Sequence, residues 1–140
     1  MRLLALDLGE GRIGLAVSHA GPDGSGLALP AGYLVRTTLR KDISRILEVV
    51  RDREVDGIVV GIPYTLAGDL GPQAKRAQGF IRRLKNSTAL PIHTVDERFT
   101  SFEAEALLRE AEEQPSRRRG TVDAAAAALI LQRFLDQPRE

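Results

Sequence analysis

Along the chain, apolar and polar positions change period several times, and each change marks an element. Leu3-Leu4-Ala5-Leu6-Asp7-Leu8 and Arg12-Ile13-Gly14-Leu15-Ala16-Val17-Ser18 read as two short apolar strands folded back on each other through a glycine-bearing turn. In the second, Ile13, Leu15 and Val17 alternate with Gly14, Ala16 and Ser18, the period of two that defines a strand. Beyond the turn cluster Gly21 to Gly26, Leu27-Ala28-Leu29-Pro30 and Tyr33 to Thr37 predict a third strand, broken by Pro30 and Gly32. Three strands joined by short connections make an antiparallel meander.

From Leu39 to Arg53 the period becomes helical. Ile43, Ile46, Leu47 and Val50 share one face, and Arg40, Lys41, Arg45, Glu48 and Arg51 surround it. Gly57 to Ile62 is an unbroken apolar run, as expected of a parallel strand buried on both faces, and Pro63 ends it. Tyr64 to Gly71 is a loop, and Pro72 suits the first turn of a helix reaching about Leu84, with Ala74, Ala77, Ile81 and Leu84 inward. Pro91 to Val95 predicts a strand that ends in Asp96-Glu97-Arg98. Thr100-x-x-Glu103 then matches the capping box of a helix through Ala104, Leu107, Leu108 and Ala111. Glu112 to Gly120, with Pro115 and the triplet Arg117-Arg118-Arg119, reads as a mobile basic loop. The alanine-rich stretch Val122 to Leu135 is the last helix, with Asp123 in its first turn. The order β-β-β-α-β-α-β-α-α predicts an α/β fold: a mixed five-stranded sheet with helices packed on both faces.

Composition narrows the chemistry. The 140 residues suit one domain with a sizeable core, and a formal net charge of +1 leaves any nucleic-acid surface to a local patch. Without cysteine there is no disulfide, thiolate nucleophile or cysteine-ligated zinc, which is compatible with the cytoplasm. No apolar run is long enough to span a bilayer, so neither a signal peptide nor a membrane partner is expected.

Asp7 is out of keeping with its apolar neighbours, because a buried carboxylate needs a counter-charge, a metal or strong hydrogen bonds. Gly9-x-Gly11-x-x-Gly14 after a strand matches the dinucleotide-binding fingerprint, but that motif works only where a helix follows, and here a strand does. In a sheet of the predicted order the first strand is central, so its end should neighbour the end of the last strand. That places Asp7 beside Asp96-Glu97, and a helix packed across the sheet could bring Asp123 to the same edge. Adjacent residues on a strand point to opposite faces, so only one of Asp96 and Glu97 serves such a site. Three converging carboxylates repel one another unless a divalent cation is present, and hard oxygen ligands favour Mg2+ or Mn2+. A pair of such ions could activate water and stabilise the leaving oxygen of a phosphodiester. The plainer readings are a turn-capping Asp7, a solvated Asp96-Glu97-Arg98 cluster and a helix-dipole partner in Asp123. Against all three at once stands the place of each acid, at an element boundary amid apolar sequence.

Four linked motifs resemble the YqgF/RuvX family. They are Leu6-Asp7-x-Gly9-x-x-Arg12-Ile13-Gly14-x-Ala16-Val17; Val59-Val60-Gly61-Ile62-Pro63 followed by Gly68-x-x-Gly71-Pro72-Gln73-Ala74; Asp96-Glu97-Arg98-x-Thr100-x-x-x-Ala104; and Val122-Asp123-x-x-Ala126-Ala127-x-x-Ile130-Leu131. The resemblance covers nearly the whole chain, in order. It implies a single RNase H-like nuclease domain over residues 1–140, acting as a Holliday junction resolvase or on precursor 16S ribosomal RNA. It carries a catalytic and metal-binding role onto Asp7, Glu97 and Asp123, with Asp96 as a fourth acid. One departure stands out: where the wider superfamily commonly places a carboxylate at the end of the fourth strand, this chain has Gly61-Ile62-Pro63.

For nucleic-acid binding the candidates are Arg12, Tyr64 with its loop to Gly71, Arg98, and Arg117, Arg118 and Arg119, since arginine forks match phosphate oxygens. Lys75, Arg82 and Arg83 read as a solvated helix face, and His93 as structural. The main expectation is a metal-dependent hydrolase that cuts structured nucleic acid in 5′-end maturation of precursor 16S rRNA. Its alternatives are junction resolution in DNA recombination and repair, or an RNA-binding ribosome-maturation module without catalysis. An actin-like ATPase, which shares the Asp-x-Gly hairpin, would need a second domain for which the chain has no room. Resolving a symmetric junction would require a homodimer, whereas trimming RNA would not.

Overall fold

The computed structural model describes residues 1–20, 26–63, 70–97 and 115–137, with the backbone only of 20 and 115–121. Its strands are β1 (Leu3–Leu8), β2 (Arg12–Ala20), β3 (Gly26–Val35), β4 (Gly57–Ile62) and β5 (Ile92–Asp96). Its helices are α1 (Leu39–Asp52), α2 (Pro72–Lys85) and α3 (Pro115–Asp136). The five strands form one sheet in the order β3-β2-β1-β4-β5. β1, β2 and β3 are antiparallel neighbours, while β4 is parallel to β1 and β5 parallel to β4. The mixed sheet expected from the sequence is therefore present, with β1 at its centre.

Side-chain alternation divides the sheet into two unlike faces. Leu4, Leu6, Ile13, Leu15, Ile58, Val60 and Ile62 form one core with Ile43 and Ile46 of α1 and Phe80, Ile81 and Leu84 of α2. On the other face, Leu3, Ala5, Ala16, Val59 and Val95 pack against Ala127, Ile130 and Leu131 of α3. This second face is built of smaller residues, so the alanine-rich α3 lies close to it. The approach is closest at Gly14, where a Cβ would overlap the main-chain carbonyl of Asp123. Glycine here serves to admit a helix backbone.

Three expectations need correction. The third strand is continuous from Gly26 to Val35: Pro30 pairs opposite Ala16 on an edge strand, Gly32 takes a positive φ of 88°, and the register shift falls between Gly14 and Ala16 of β2. An edge strand tolerates the missing donor of proline, so the strand is bent without being cut. The predicted basic loop is helical from residue 115 onward, so the backbone of Arg117, Arg118 and Arg119 belongs to α3. Pro115 begins this helix, and Gly120 is carried within it. Asp123 accordingly lies two turns inside α3 and is no partner for the dipole at its start. The expected helix from Thr100 through Ala111 and most of the loop from Tyr64 lie outside the described residues.

Substituting Gly14 by Ala should force α3 away from β2 and lower stability by about 1–3 kcal/mol, the range for overpacking a close contact. Gly11→Ala, with open space at its Cβ position, should cost far less. Urea denaturation of the two variants checks the difference.

Candidate active site

Strand parity decides which acids meet. Asp7 follows Leu3 and Ala5 on the α3 face of β1, Gly61 follows Val59 on β4, and Glu97 follows Val95 at the end of β5. Asp96, paired with Ile62, has the opposite parity. β4 lies between β1 and β5, so the ends of the first and last strands are next-but-one neighbours in the sheet. The gap is bridged at Gly61. A Cβ there would lie 2.5 Å from Glu97 Oε1 and 2.7 Å from Glu97 Cγ, so the glutamate side chain occupies the space that any side chain on β4 would fill. The glycine standing where the wider superfamily has a carboxylate lets the next strand supply one.

Reaching over Gly61, Glu97 hydrogen-bonds with the carboxyl group of Asp7. Burial raises the pKa of both. Glu97 is pushed up to about 9 by desolvation first, then by the charge of Asp7, its hydrogen bond to Asp7 and the charge of Asp96. Asp7 is raised by desolvation, lowered by the hydrogen bond from Glu97 and raised again by the charge of Asp123. Both shifts favour protonation, and that of the glutamate is the larger stated one, so the pair resists carrying two negative charges.

Asp123 reaches the same edge from α3, at the level where Gly14 lets the helix touch β2. Its Oδ2 accepts from Arg12 Nε in an ion pair that is one-third exposed on the arginine and about one-fifth on the aspartate. Arg12 also lies over the Tyr33 ring, with its guanidinium carbon 5.9 Å from the centroid. Arg12, expected to contact phosphate, is thus engaged by one of the three acids. His93 packs its ring against Phe134 at 4.8 Å, as a structural histidine would. Tyr64 and Arg98 fall outside the described residues, as do the side chains of Arg117, Arg118 and Arg119.

Asp7 and Glu97 offer a divalent cation what it requires: hard oxygen donors within hydrogen-bonding reach of each other, in a cradle that a Cβ at residue 61 would fill. The raised pKa values mark where positive charge is needed. Among the described residues no third His, Asp or Glu closes a metal cage as the side chains stand, because Asp123 is turned onto Arg12.

A concave surface of about 530 Å³ opens from these acids over the end of the sheet. Asp7, Glu97 and Glu10 line it together with Arg36, Gln73, Arg76 and Phe80. Arg36 was not among the residues the sequence singled out. Arg36 follows the apolar stretch of β3 like any flanking charge, and only its surroundings in the fold distinguish it.

The topology and the cluster at the end of the central strand define an RNase H-like protein, and known structures agree. Thermus thermophilus RuvC in complex with a Holliday junction substrate superposes with a TM-score of 0.60 at 16% identity, covering 96% of this chain and 94% of that one. The fowlpox virus Holliday junction resolvase gives 0.59 at 9% identity, covering 97% and 99%. At these identities the likeness is one of fold. The family follows from sequence: residues 1–137 match the family described as "RuvX: Holliday junction resolvase". Proteins named "Putative pre-16S rRNA nuclease" are 45% identical over 96% of the chain in Acaryochloris marina and 45% identical over 98% in an Anaeromyxobacter species, covering 91% and 98% of those proteins. The chain belongs to the RuvX (YqgF) family, as its four motifs implied.

The raised carboxyl pKa values set a pH dependence. Between about 4.5 and about 9 the folded protein holds a proton on Glu97 that the unfolded chain releases, so stability should fall as pH rises through that window. In EDTA, urea denaturation at pH 5 and pH 8.5 should show this decline. It should be shallower in Glu97→Gln, whose amide cannot ionise, and an equally steep decline in that variant would refute the assignment.

Proposed function

We propose that this chain is a divalent-metal-dependent nuclease that hydrolyses phosphodiester bonds of structured nucleic acid, acting in the cytoplasm on the 5′ end of precursor 16S rRNA. The observation that carries this reading is the Asp7–Glu97 pair, two acids held together over Gly61 at the mouth of an open groove. The names carried by relatives of nearly equal length point to the rRNA substrate.

Asp7 and Glu97 would hold Mg2+ or Mn2+, and Asp123 would join them when Arg12 turns to a phosphate. Bound there, the cation supplies a more acidic water and stabilises charge on the leaving oxygen. The chain's own residues draw the acids partly out of bulk water, set their spacing through Gly61 and Gly14, and present arginine to the backbone of the strand. Arg117, Arg118 and Arg119 lie one to two turns ahead of Asp123 on α3, and with Tyr64 and Arg98 they are the outer candidates for nucleic-acid contact. Asp96, on the opposite parity, acts on Glu97 through its charge. Junction resolution is the second reading, favoured by the family's description and requiring a homodimer to cut two strands.

Cleavage of 5′-extended 16S precursor RNA, unstructured RNA and a four-way DNA junction, each with Mg2+, Mn2+ or EDTA, tests the proposal. Asp7→Asn should abolish metal-dependent cutting while the fold persists. Cutting undiminished in that variant would overturn the proposal, and binding without cutting in any metal would leave a nucleic-acid-binding module. Gly61→Ala should lower the rate about a hundred-fold by displacing Glu97, since displacements of about 1 Å at a reacting centre have effects of that size.

A further inference from the structure

One buried charge has no part in the chemistry above. Asp42, in the first turn of α1, is 2% exposed and far from the acid pair in sequence. A carboxylate in such a place costs free energy unless its oxygens are satisfied. Oδ1 accepts from the Thr37 main-chain N–H at 2.9 Å and from Thr37 Oγ1 at 3.1 Å. Oδ2 faces Arg36 Nε at 3.6 Å.

Arg36 is fixed on every side. Its Nη1 donates to the Gly9 carbonyl at 2.8 Å, its guanidinium carbon lies 5.5 Å from the centroid of the Phe80 ring, and its main-chain N–H donates to the Gly11 carbonyl at 2.9 Å. The side chain is nevertheless 28% exposed, and the exposed part lines the groove that contains Asp7 and Glu97. A guanidinium clamped by a buried acid, a carbonyl and an aromatic face has given up its rotamer freedom before any ligand arrives. Arg76 enters the same groove from α2. Its contact with Glu10 is 4.0 Å between two well-exposed groups, which holds it weakly.

We infer that the Arg36 side of this groove is a phosphate subsite: Arg36, set by Asp42, and Arg76 bind a backbone phosphate next to the one that is cut. This inference rests on the nuclease reading and adds to it the path of the substrate strand, which crosses the end of the sheet from the acids on the α3 side toward α2. The groove suits a phosphodiester better than a base. Phe80 is buried, with the Arg36 guanidinium over its ring, and offers no stacking face, whereas two arginines line the space together with Asp7, Glu97 and Glu10. Asp42 is a positioning residue, because it reaches the groove only through Arg36.

Salt dependence of binding tests this directly, in full-length protein carrying Asp7→Asn to prevent cutting, with a fluorescein-labelled RNA hairpin bearing a single-stranded 5′ extension as probe. Removing one arginine that binds phosphate should lower the slope of log affinity against log salt by about one and weaken binding to all sequences alike. Arg36→Gln and Arg76→Gln should each do so, with affinity falling about ten-fold at low salt. Arg36→Lys should keep the slope while giving up part of the affinity. Arg82→Gln, on the exposed face of α2 and outside the groove, should match the parent. Asp42→Asn should weaken binding without lowering the slope, which a merely structural acid would not do in protein that stays folded by circular dichroism. Unchanged slopes in both Arg36→Gln and Arg76→Gln, with the parent still binding, would overturn the subsite and leave the nuclease reading intact. Failure of the parent and the wild-type protein to bind any nucleic acid would overturn the nuclease reading itself. Should Arg36→Gln not fold, the exposed Arg76 decides the matter.

Discussion

Two carboxyl groups held within hydrogen-bonding reach and partly withdrawn from water repel each other unless something positive lies between them. In this protein burial and mutual charge raise the pKa of both Asp7 and Glu97, the glutamate to about 9, and a hydrogen bond joins them. Much of the surrounding architecture serves to keep that arrangement in place. β1 must be central for Asp7 to stand at the end of the sheet with strands on either side, and β4 must carry no side chain at residue 61 for Glu97 to cross it. The small residues of the α3 face let the last helix lie close enough to add a third acid. Each of these features trades packing volume for proximity of charge. The opposite face, filled by larger aliphatic side chains of the sheet, α1 and α2, provides the bulk of the apolar core.

The two faces therefore divide the work of the fold. One is a conventional hydrophobic layer that tolerates the usual exchange of one apolar side chain for another. The other is fixed at two points by close approach, at Gly14 by the backbone of α3 and at Gly61 by the side chains of Glu97 and Ile130, where a larger residue would have to displace its neighbours. Arg36 belongs to the first layer by position and to the site by orientation. Its buried partner Asp42 sits among Ile43 and Ile46, so a charged network is anchored in the apolar layer and surfaces beside the acids.

The elements were legible because their periods differ: β1 and β2 by apolar runs and alternation, α1 by its amphipathic face, β4 by an unbroken apolar run. The family was legible because its motifs occur in order. What periodicity could not supply was reach across the sheet. That Glu97 and not Asp96 meets Asp7 follows from counting parity along β5, and that it must pass over β4 follows from the strand order, which a single chain does not display. Pro115 and Gly120 look like loop residues when taken singly, yet one starts α3 and the other is carried inside it. Arg36 and Asp42 gave no local signal, since an arginine after a strand and an aspartate in a first helical turn are commonplace. Only the burial of Asp42 sets them apart.

The ion pair between Arg12 and Asp123 bears on which cations the site can accept. With a proton on Glu97 and a guanidinium on Asp123, two of the three carboxylate charges are already offset within the protein. Potassium or sodium carries one charge and cannot replace both compensating groups at once. A divalent ion held by Asp7 and Glu97 could, and Arg12 would then be available to a polyanion. Under the nuclease reading, discrimination against the abundant monovalent ions arises from the positive charge the resting site already holds, and needs no cavity cut to a particular ionic radius.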